Sequence, residues 1–462
     1  MTGQSEKQTR NAALLVSAMS AFMTAFMGSS VNILLPSIAR EFGMNAMQIS
    51  WVVTAYILST AIFLVPFGRL SDIHGRKRIF FYGMCLFALI TLLIGLVSGN
   101  GMTLIALRFV QGLGSAMVFG TGMTIVISVF PPAERGRAIG VNVACVYLGL
   151  SVGPFIAGLL THYFSWRVIF LLTALISALV IILVHSRLRG EWSDARGESF
   201  DLKGSCIYGA SLVCLMYGFA SLPSISAFIL TAAGILLFAL LVRVEKRISD
   251  PVLNFSIFSH NRVYALATSS ALINYSATFA VGFLMSMYLQ TVRNMSPLWA
   301  GTVMLIQPAL QTFFSPLAGR LSDERDPQAI ASAGMAITSA GLFMLNFLGA
   351  DTSLLYVMAA LALLGLGFAF FSTPNTTAAM NSMEKRYYGV ASSLLSTMRV
   401  LGQMLSMGIS MIVFSVFIGR VRITHDNAPE FLHSMKTLFL IFALLCFAGI
   451  FLKTRGGPGK GK

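Results

Sequence analysis

Residues 68–72 read Gly-Arg-Leu-Ser-Asp, and residues 319–323 read Gly-Arg-Leu-Ser-Asp again. Each copy follows a long apolar run, and a proline stands shortly before each, Pro66 and Pro316. A duplicated helix-and-loop unit explains this better than chance, because internal repeats mark folds built from equivalent halves. What the copies imply depends on how many runs separate them.

A membrane-crossing helix needs about 20 predominantly apolar residues. Runs bounded by charged residues, Pro or Asn fall at 12–35, 49–67, 79–97, 102–130, 138–160 and 168–184. A polar stretch follows, then a pair at 205–220 and 225–242 joined by a tight turn around Pro223. Six more lie at 265–289, 298–317, 329–348, 354–371, 390–418 and 438–452, which makes fourteen. The two copies of the pentapeptide are then eight spans apart, whereas two equivalent six-helix bundles would place them six apart. Two helices are therefore inserted, and the hairpin at 205–242 supplies them. The expected architecture is an all-α integral membrane protein: an N-terminal six-helix bundle at 1–187, a linker with an inserted transmembrane hairpin at 188–262, and a C-terminal six-helix bundle with a cytoplasmic tail at 263–462.

Composition agrees. Of 462 residues 56% are hydrophobic and 11% charged, with a mean hydropathy of +0.79, which excludes the mixed surface of a soluble enzyme. The formal charge of +15 comes from 32 Lys and Arg against 17 Asp and Glu. With both termini cytoplasmic, 24 basic residues fall in cytoplasmic segments, six in outer loops and two within spans. That bias is the positive-inside rule, so nucleic-acid binding is not needed to explain the charge. The five cysteines lie inside apolar runs, which speaks against a disulfide framework or a metal centre. The first run is too long for a signal peptide and lacks a small-residue cleavage site, so it reads as a retained span. Compact loops and the missing signal point to a prokaryotic cytoplasmic membrane.

Three motifs now bear on identity. Residues 68–78 read Gly68-Arg-Leu-Ser-Asp72-Ile-His-Gly75-Arg76-Lys77-Arg78; residues 107–114 read Leu-Arg108-Phe-Val-Gln111-Gly-Leu-Gly; residues 149–158 read Gly149-Leu-Ser-Val-Gly153-Pro154-Phe-Ile-Ala157-Gly158. They resemble, in order, the loop signature between the second and third helices, the arginine motif of the fourth helix and the exporter motif of the fifth helix in the major facilitator superfamily. Within it the chain looks like the fourteen-helix branch of drug:proton antiporters, over essentially its whole length, although that branch often has Gly where Ala157 stands. The resemblance implies two bundles rocking about a midplane site, with a proton gradient as energy source and no cofactor.

The chemistry of these residues suits gating. Gly68 and Gly75 allow close backbone approach, Asp72 can accept from N–H groups at a neighbouring helix N-terminus, and Arg76 and Lys77 pin the cytoplasmic face. The resemblance implies a latch joining the bundles on the cytoplasmic side while the protein is open outward; Gly319 and Asp323 repeat it. A solvated, positively charged loop with a cap is the competing reading. Gly149 and Gly153 permit tight helix packing and Pro154 loosens the backbone ladder, which suits a helix at a rocking interface but also suits packing alone.

Arg108 and Arg399 are the two basic residues inside spans, and an intramembrane charge is a functional hypothesis by default. Snorkelling competes for Arg108, and pairing with backbone carbonyls competes for Arg399, whose neighbour one turn on is Gln403. Polar residues expected to contact substrate are Asn32, Gln111, Asn142, Tyr147, Asn274, Tyr275, Gln307, Gln311 and Asn375; helix-to-helix hydrogen bonds are the alternative for each.

One absence is informative. None of the 17 acidic residues falls within a span, and Met27 stands where antiporters of the resembled branch carry an acid in the first helix. A buried carboxylate would pair a cationic drug and exchange it for a proton. Coupling, if present, has to use Asp72, Glu134, Glu41 or His162, all near membrane faces. A cavity with two arginines and no acid favours neutral or anionic amphiphiles. The expected function is export of hydrophobic or amphipathic small molecules by alternating access, as a functional monomer in contact with membrane lipid, multidrug efflux coupled to protons being the first form. An exporter or facilitator of one metabolite, lipid or organic anion without proton coupling is the alternative, and a transport-inactive sensor or scaffold the second. No enzyme is expected, since no catalytic motif or metal-binding pair appears and the loops are too short for a catalytic domain.

Overall fold

In hydrocarbon every backbone polar group has to be satisfied by the protein itself, and a helix does this within one segment. The structure, a computed structural model, describes residues 3–97, 99–193, 195–245, 261–383, 388–419, 421–423 and 427–452. The described residues form α1 (Gly3–Phe42), α2 (Ala46–His74), α3 (Arg76–Val97), α4 (Gly101–Val129), α5 (Pro132–Tyr163), α6 (Arg167–Arg187), α7 (Leu202–Ser221) and α8 (Ile225–Glu245). After these come α9 (Arg262–Met287), prolonged by a π turn at Tyr288–Val292, then α10 (Pro297–Met304), α11 (Ile306–Glu324), α12 (Pro327–Leu345), α13 (Leu354–Asn381), α14 (Tyr388–Phe417) and α15 (Ala428–Ile450). Parts of the expected linker and tail, 246–260 and 453–462, lie outside the described residues.

Thirteen of these helices are long and apolar enough to cross a membrane. The remaining crossing, tenth in chain order, is the run expected at 298–317, which folds as α10 and α11 with only Leu305 between them. Pro308 accounts for the break: its ring crowds the carbonyl four residues back, at Met304, where α10 ends. Most helices outrun their apolar stretches. The 40 residues of α1 span about 60 Å, twice the roughly 30 Å hydrocarbon layer, and α15 begins ten residues before its run does. The apolar pattern reports where the lipid is; capping and packing decide where a helix stops.

The pentapeptides were expected in loops, and both are helical. Gly68–Asp72 belongs to the end of α2 and Gly319–Asp323 to the end of α11. After the first copy the loop shrinks to one residue, Gly75, with φ 113°, a conformation only glycine adopts cheaply.

The packing repeats with the sequence. In the first half α1 lies along α5, α2 and α3 against α4, and α3 against α6; in the second half α9 lies along α14, α11 and α12 against α13, and α12 against α15. The halves meet through α1 and α9, through α2 and α14, and through α5 with α10 and α11. The hairpin α7–α8 lies across this seam: Tyr208 Oη donates to Ala61 O of α2 at 3.1 Å, and Ser415 Oγ of α14 donates to Leu222 O at 2.7 Å.

Candidate functional site

The halves are sealed on the outer side. Ser286 Oγ donates to Asn32 O, and Gln290 Nε2 donates to Ile33 O at 3.0 Å and to Ser286 Oγ at 3.1 Å. A Cβ on Gly282 would lie 2.7 Å from Asn32 Nδ2, so α1 and α9 touch there. Ala46 N donates to Val421 O at 3.0 Å. On the opposite flank, a side chain on Gly158 would collide with Pro297 O and one on Gly301 with Pro154 O. The exporter-like motif of α5 therefore has two faces. Gly149 and Gly153 lie against Phe22, Phe26 and Ser29 of α1 within the first half, while Pro154 and Gly158 lie against α10 of the second. Near mid-membrane Ser151 Oγ and Thr312 Oγ1 are 2.9 Å apart. These hydrogen bonds between the halves lie in the outer part or near the middle. One turn inward of Asn32, Gly28 faces open space.

At the cytoplasmic end the first pentapeptide is tied to the linker. Asp72 Oδ1 accepts from Arg76 Nε at 3.0 Å and from Nη2 at 2.7 Å, and Arg76 Nη1 also donates to Ser128 Oγ at 2.5 Å. The carboxylate at the α3 N-terminus is Glu191, which accepts from Lys77 N at 2.8 Å and Arg78 N at 3.2 Å. Arg76 N donates to Trp192 O at 2.8 Å and Ala195 N to Asp72 O at 3.0 Å; Arg69 pairs with Glu198. A Cβ on Gly75 would lie 2.5 Å from the Glu191 carboxyl carbon. Asp323, in the second copy, is exposed; the position matching Gly75 there is Asp326, which caps α12 through Gln328 N at 3.1 Å. The repeats thus have unequal surroundings.

The residues proposed to touch substrate divide into two groups. Five are engaged inside one half. Arg108 is 2% exposed, donates from Nε to Val52 O at 3.1 Å and from Nη1 to Gln111 Oε1 at 2.5 Å, and lies over the Tyr56 ring at 4.3 Å. Gln111 passes a hydrogen bond to Thr91 Oγ1 at 2.6 Å. Asn142 donates to Ser17 Oγ at 2.5 Å, and Ser17 to Gly122 O at 3.0 Å. Asn375 donates to Ala267 O at 3.0 Å, and Asn274 is buried beside Cys446 Sγ at 3.9 Å. Arg108, Gln111, Asn142 and Asn375 are spent on neighbouring helices, the alternative the sequence had left open, while Asn274 Oδ1 is buried with no hydrogen-bond partner.

Of the others, Asn32 and Tyr147 meet the opposite half. Asn32 is in the outer seal, and Tyr147, whose backbone oxygen accepts from Thr312 Oγ1 at 3.4 Å, is half-buried. Gln307 and Gln403 are half-buried and Gln311 buried. Arg399 is half-buried between α9, α13 and α14, donating from Nη2 to Thr376 Oγ1 at 2.6 Å and facing the Tyr275 ring at 5.8 Å. Tyr275 in turn meets Phe368 edge-on, centroids 6.4 Å apart. A Cβ on Gly402 would lie 2.6 Å from Leu272 O and 2.8 Å from Tyr275 Cβ, so this glycine brings α14 close enough to α9 for Tyr275 to reach Arg399. Met27, at the place of the missing acid, is fully buried. Two further acids named for coupling are paired: Glu41 accepts from Arg167 and from Trp166 Nε1, and Glu134 lies 3.7 Å from Arg10.

Glu191, Gln290, Gly301 and Gly402 were not singled out in the sequence. Gln290 carried a signal, an amide at the outer end of an apolar run; the partners of the two glycines come from distant segments and had none.

Residues 17–407 match the family model described as Major Facilitator Superfamily. The chain belongs to this superfamily. Its relatives include the riboflavin transporter RibZ of Clostridioides difficile (strain 630), 29% identical over 95% of this chain and 96% of that protein. The multidrug resistance protein Stp of Mycobacterium tuberculosis (strain CDC 1551 / Oshkosh) is 32% identical over 86% of this chain and 74% of its own length. The puromycin resistance protein pur8 of Streptomyces alboniger is 30% identical over 81% and 76%. A crystal structure of the peptide transporter POT with alafosfalin superposes over 96% of this chain and 97% of that one at a TM-score of 0.71 and 14% identity; that likeness is one of fold. The protein is thus a multi-pass membrane transporter of the superfamily, and its family and structural neighbours are transporters rather than enzymes.

Proposed function

We propose that this transporter exports hydrophobic or amphipathic small molecules across the cytoplasmic membrane by alternating access, working as a monomer, and that the structure is its inward-facing state. The observation that carries the reading is the asymmetry of the seam: α1–α9 and α5–α10 are in contact outside, while Gly28 looks into open space one turn further in and Asp72 is held by Arg76 of its own half. A latch that joins the halves only in the outward-open state has to be disengaged when the outer side is shut, and Asp72 bound within its own half fits that. Relatives named for multidrug and puromycin resistance support drug efflux.

Proton coupling is the finer part of the proposal, and Asp72 is the acid assigned to it, because its Arg76 partner could release it when the gate rearranges. The second reading, export of a single metabolite or organic anion without protons, is favoured by the buried Met27 and by the likeness to a riboflavin transporter over nearly the whole chain. Transport in proteoliposomes, with a pH gradient and a membrane potential imposed separately, tests both against cationic, neutral and anionic amphiphiles. Accumulation driven by the pH gradient and lost in Asp72→Asn supports antiport. Equilibration without accumulation overturns coupling.

A further inference from the structure

We propose that Arg399 is an anion-binding subsite of the transport pathway, selecting substrates that join one acidic group to an aromatic body. The inference deepens the transport reading and rests on it.

The two intramembrane guanidinium groups differ in what is left to bind. Arg108 is shut away, with a carbonyl, an amide oxygen and a ring face around it. Arg399 is half-buried. Its Nη2 donates to a neutral hydroxyl, Thr376 Oγ1, and its Nε is buried with no hydrogen-bond partner. The contacts described for it include no carboxylate, and no acidic residue falls within an expected span. A cation in the membrane interior is costly, and a buried donor without an acceptor adds to the cost. A substrate carrying a carboxylate, sulfonate or phosphate removes both at once, since the planar guanidinium presents its donors as a fork matched to such groups.

The site also faces the right way. Tyr275 lies seven residues, two helical turns or about 10 Å, inward of Gly282 on the same face of α9, and Gly282 is where α9 meets Asn32 of the other half. Tyr275 and Arg399 therefore line the space below the outer seal. Tyr275 and Phe368, edge to face, give an aromatic wall for the substrate body. A cationic substrate meets a like charge here, with no carboxylate among the contacts described, and is repelled.

The test uses two probes that differ by a single sulfonate, 8-anilinonaphthalene-1-sulfonate and N-phenyl-1-naphthylamine. Binding is measured by equilibrium dialysis with the full chain in nanodiscs and empty nanodiscs as the blank. The wild type is expected to bind the sulfonate at least about tenfold more tightly. Arg399→Gln should bring the sulfonate to parity with the neutral probe while leaving the neutral probe within about twofold, which also reports that the variant is folded; Arg399→Lys should keep part of the preference. Equal binding of the two probes by the wild type, or equal weakening of both in Arg399→Gln, overturns the subsite. Transport separates this from the parent reading. A sulfonate preference in binding with neither probe crossing proteoliposomes supports the subsite and defeats transport; both probes crossing without preference defeats the subsite alone.

Discussion

Gly75 carries two constraints at once, a φ of 113° and the Glu191 carboxylate packed where a Cβ would be. Glu191 places negative charge on the N–H groups of Lys77 and Arg78, where a helix terminus favours it. Glu191→Ala should cost about 1 kcal/mol, the usual value of a lost cap, seen as a thermal midpoint lowered by a few degrees in detergent. Gly75→Ala should cost about 1–3 kcal/mol from backbone strain, plus displacement of Glu191. In the double variant the penalties should sum to less than the two singles, because the displaced carboxylate is already gone. Strict additivity in a double-mutant cycle would argue against the packing described. Asp72 shows what residue type alone cannot tell: a carboxylate able to accept from a neighbouring helix N-terminus is held here by Arg76 of its own half, and the α3 N-terminus takes its carboxylate, Glu191, from the linker.

The helix α5 presents two seams. Gly149 and Gly153 face α1 in the same half, while Pro154 and Gly158 face α10 in the other. Enlarging either glycine overpacks a contact, typically by about 1–3 kcal/mol, but the consequences should differ. Gly149→Leu acts on an interface that persists through the transport cycle, so folding yield and thermal midpoint should fall. Gly158→Leu acts on an interface that has to separate when the protein opens outward. About 1.4 kcal/mol directed at that seam changes the ratio of the two states tenfold, so labelling of Asn32→Cys by an impermeant thiol reagent from outside should rise about tenfold, with little change in midpoint. Unchanged outside labelling in a folded Gly158→Leu protein would show that this contact does not hold the outer side shut. The hairpin makes a milder case: Tyr208→Phe removes the hydrogen bond to Ala61 O and should cost about 1 kcal/mol by thermal unfolding.

At the scale of the whole molecule, a seam closed outside and open below Asn32 predicts sided access. In a background with the five free cysteines replaced, Gly28→Cys should react with an impermeant thiol reagent added from the cytoplasmic side and be protected from the outer side, whereas Gln290→Cys should be protected from both. Rapid labelling of Gly28→Cys from outside alone would assign the opposite state. The number of crossings, the inserted pair and the orientation were legible without coordinates because lipid acts on the chain as a solvent: hydrocarbon thickness sets the length of each apolar run, and insertion sorts Lys and Arg to one side. The repeated Gly-Arg-Leu-Ser-Asp showed that the halves are equivalent in plan. The tenth crossing was legible as a run but not as two helices, since Pro308 breaks it from four residues away. What sequence left open was which polar side chains are spent on neighbouring helices, as Arg108, Gln111, Asn142 and Asn375 are, and which keep capacity to bind, as Arg399 does. Distance along the chain carries no record of such partners: Val52, Thr91 and Ser17 meet them only when separate helices pack, and an unmet donor such as Arg399 Nε is a property of that packing alone.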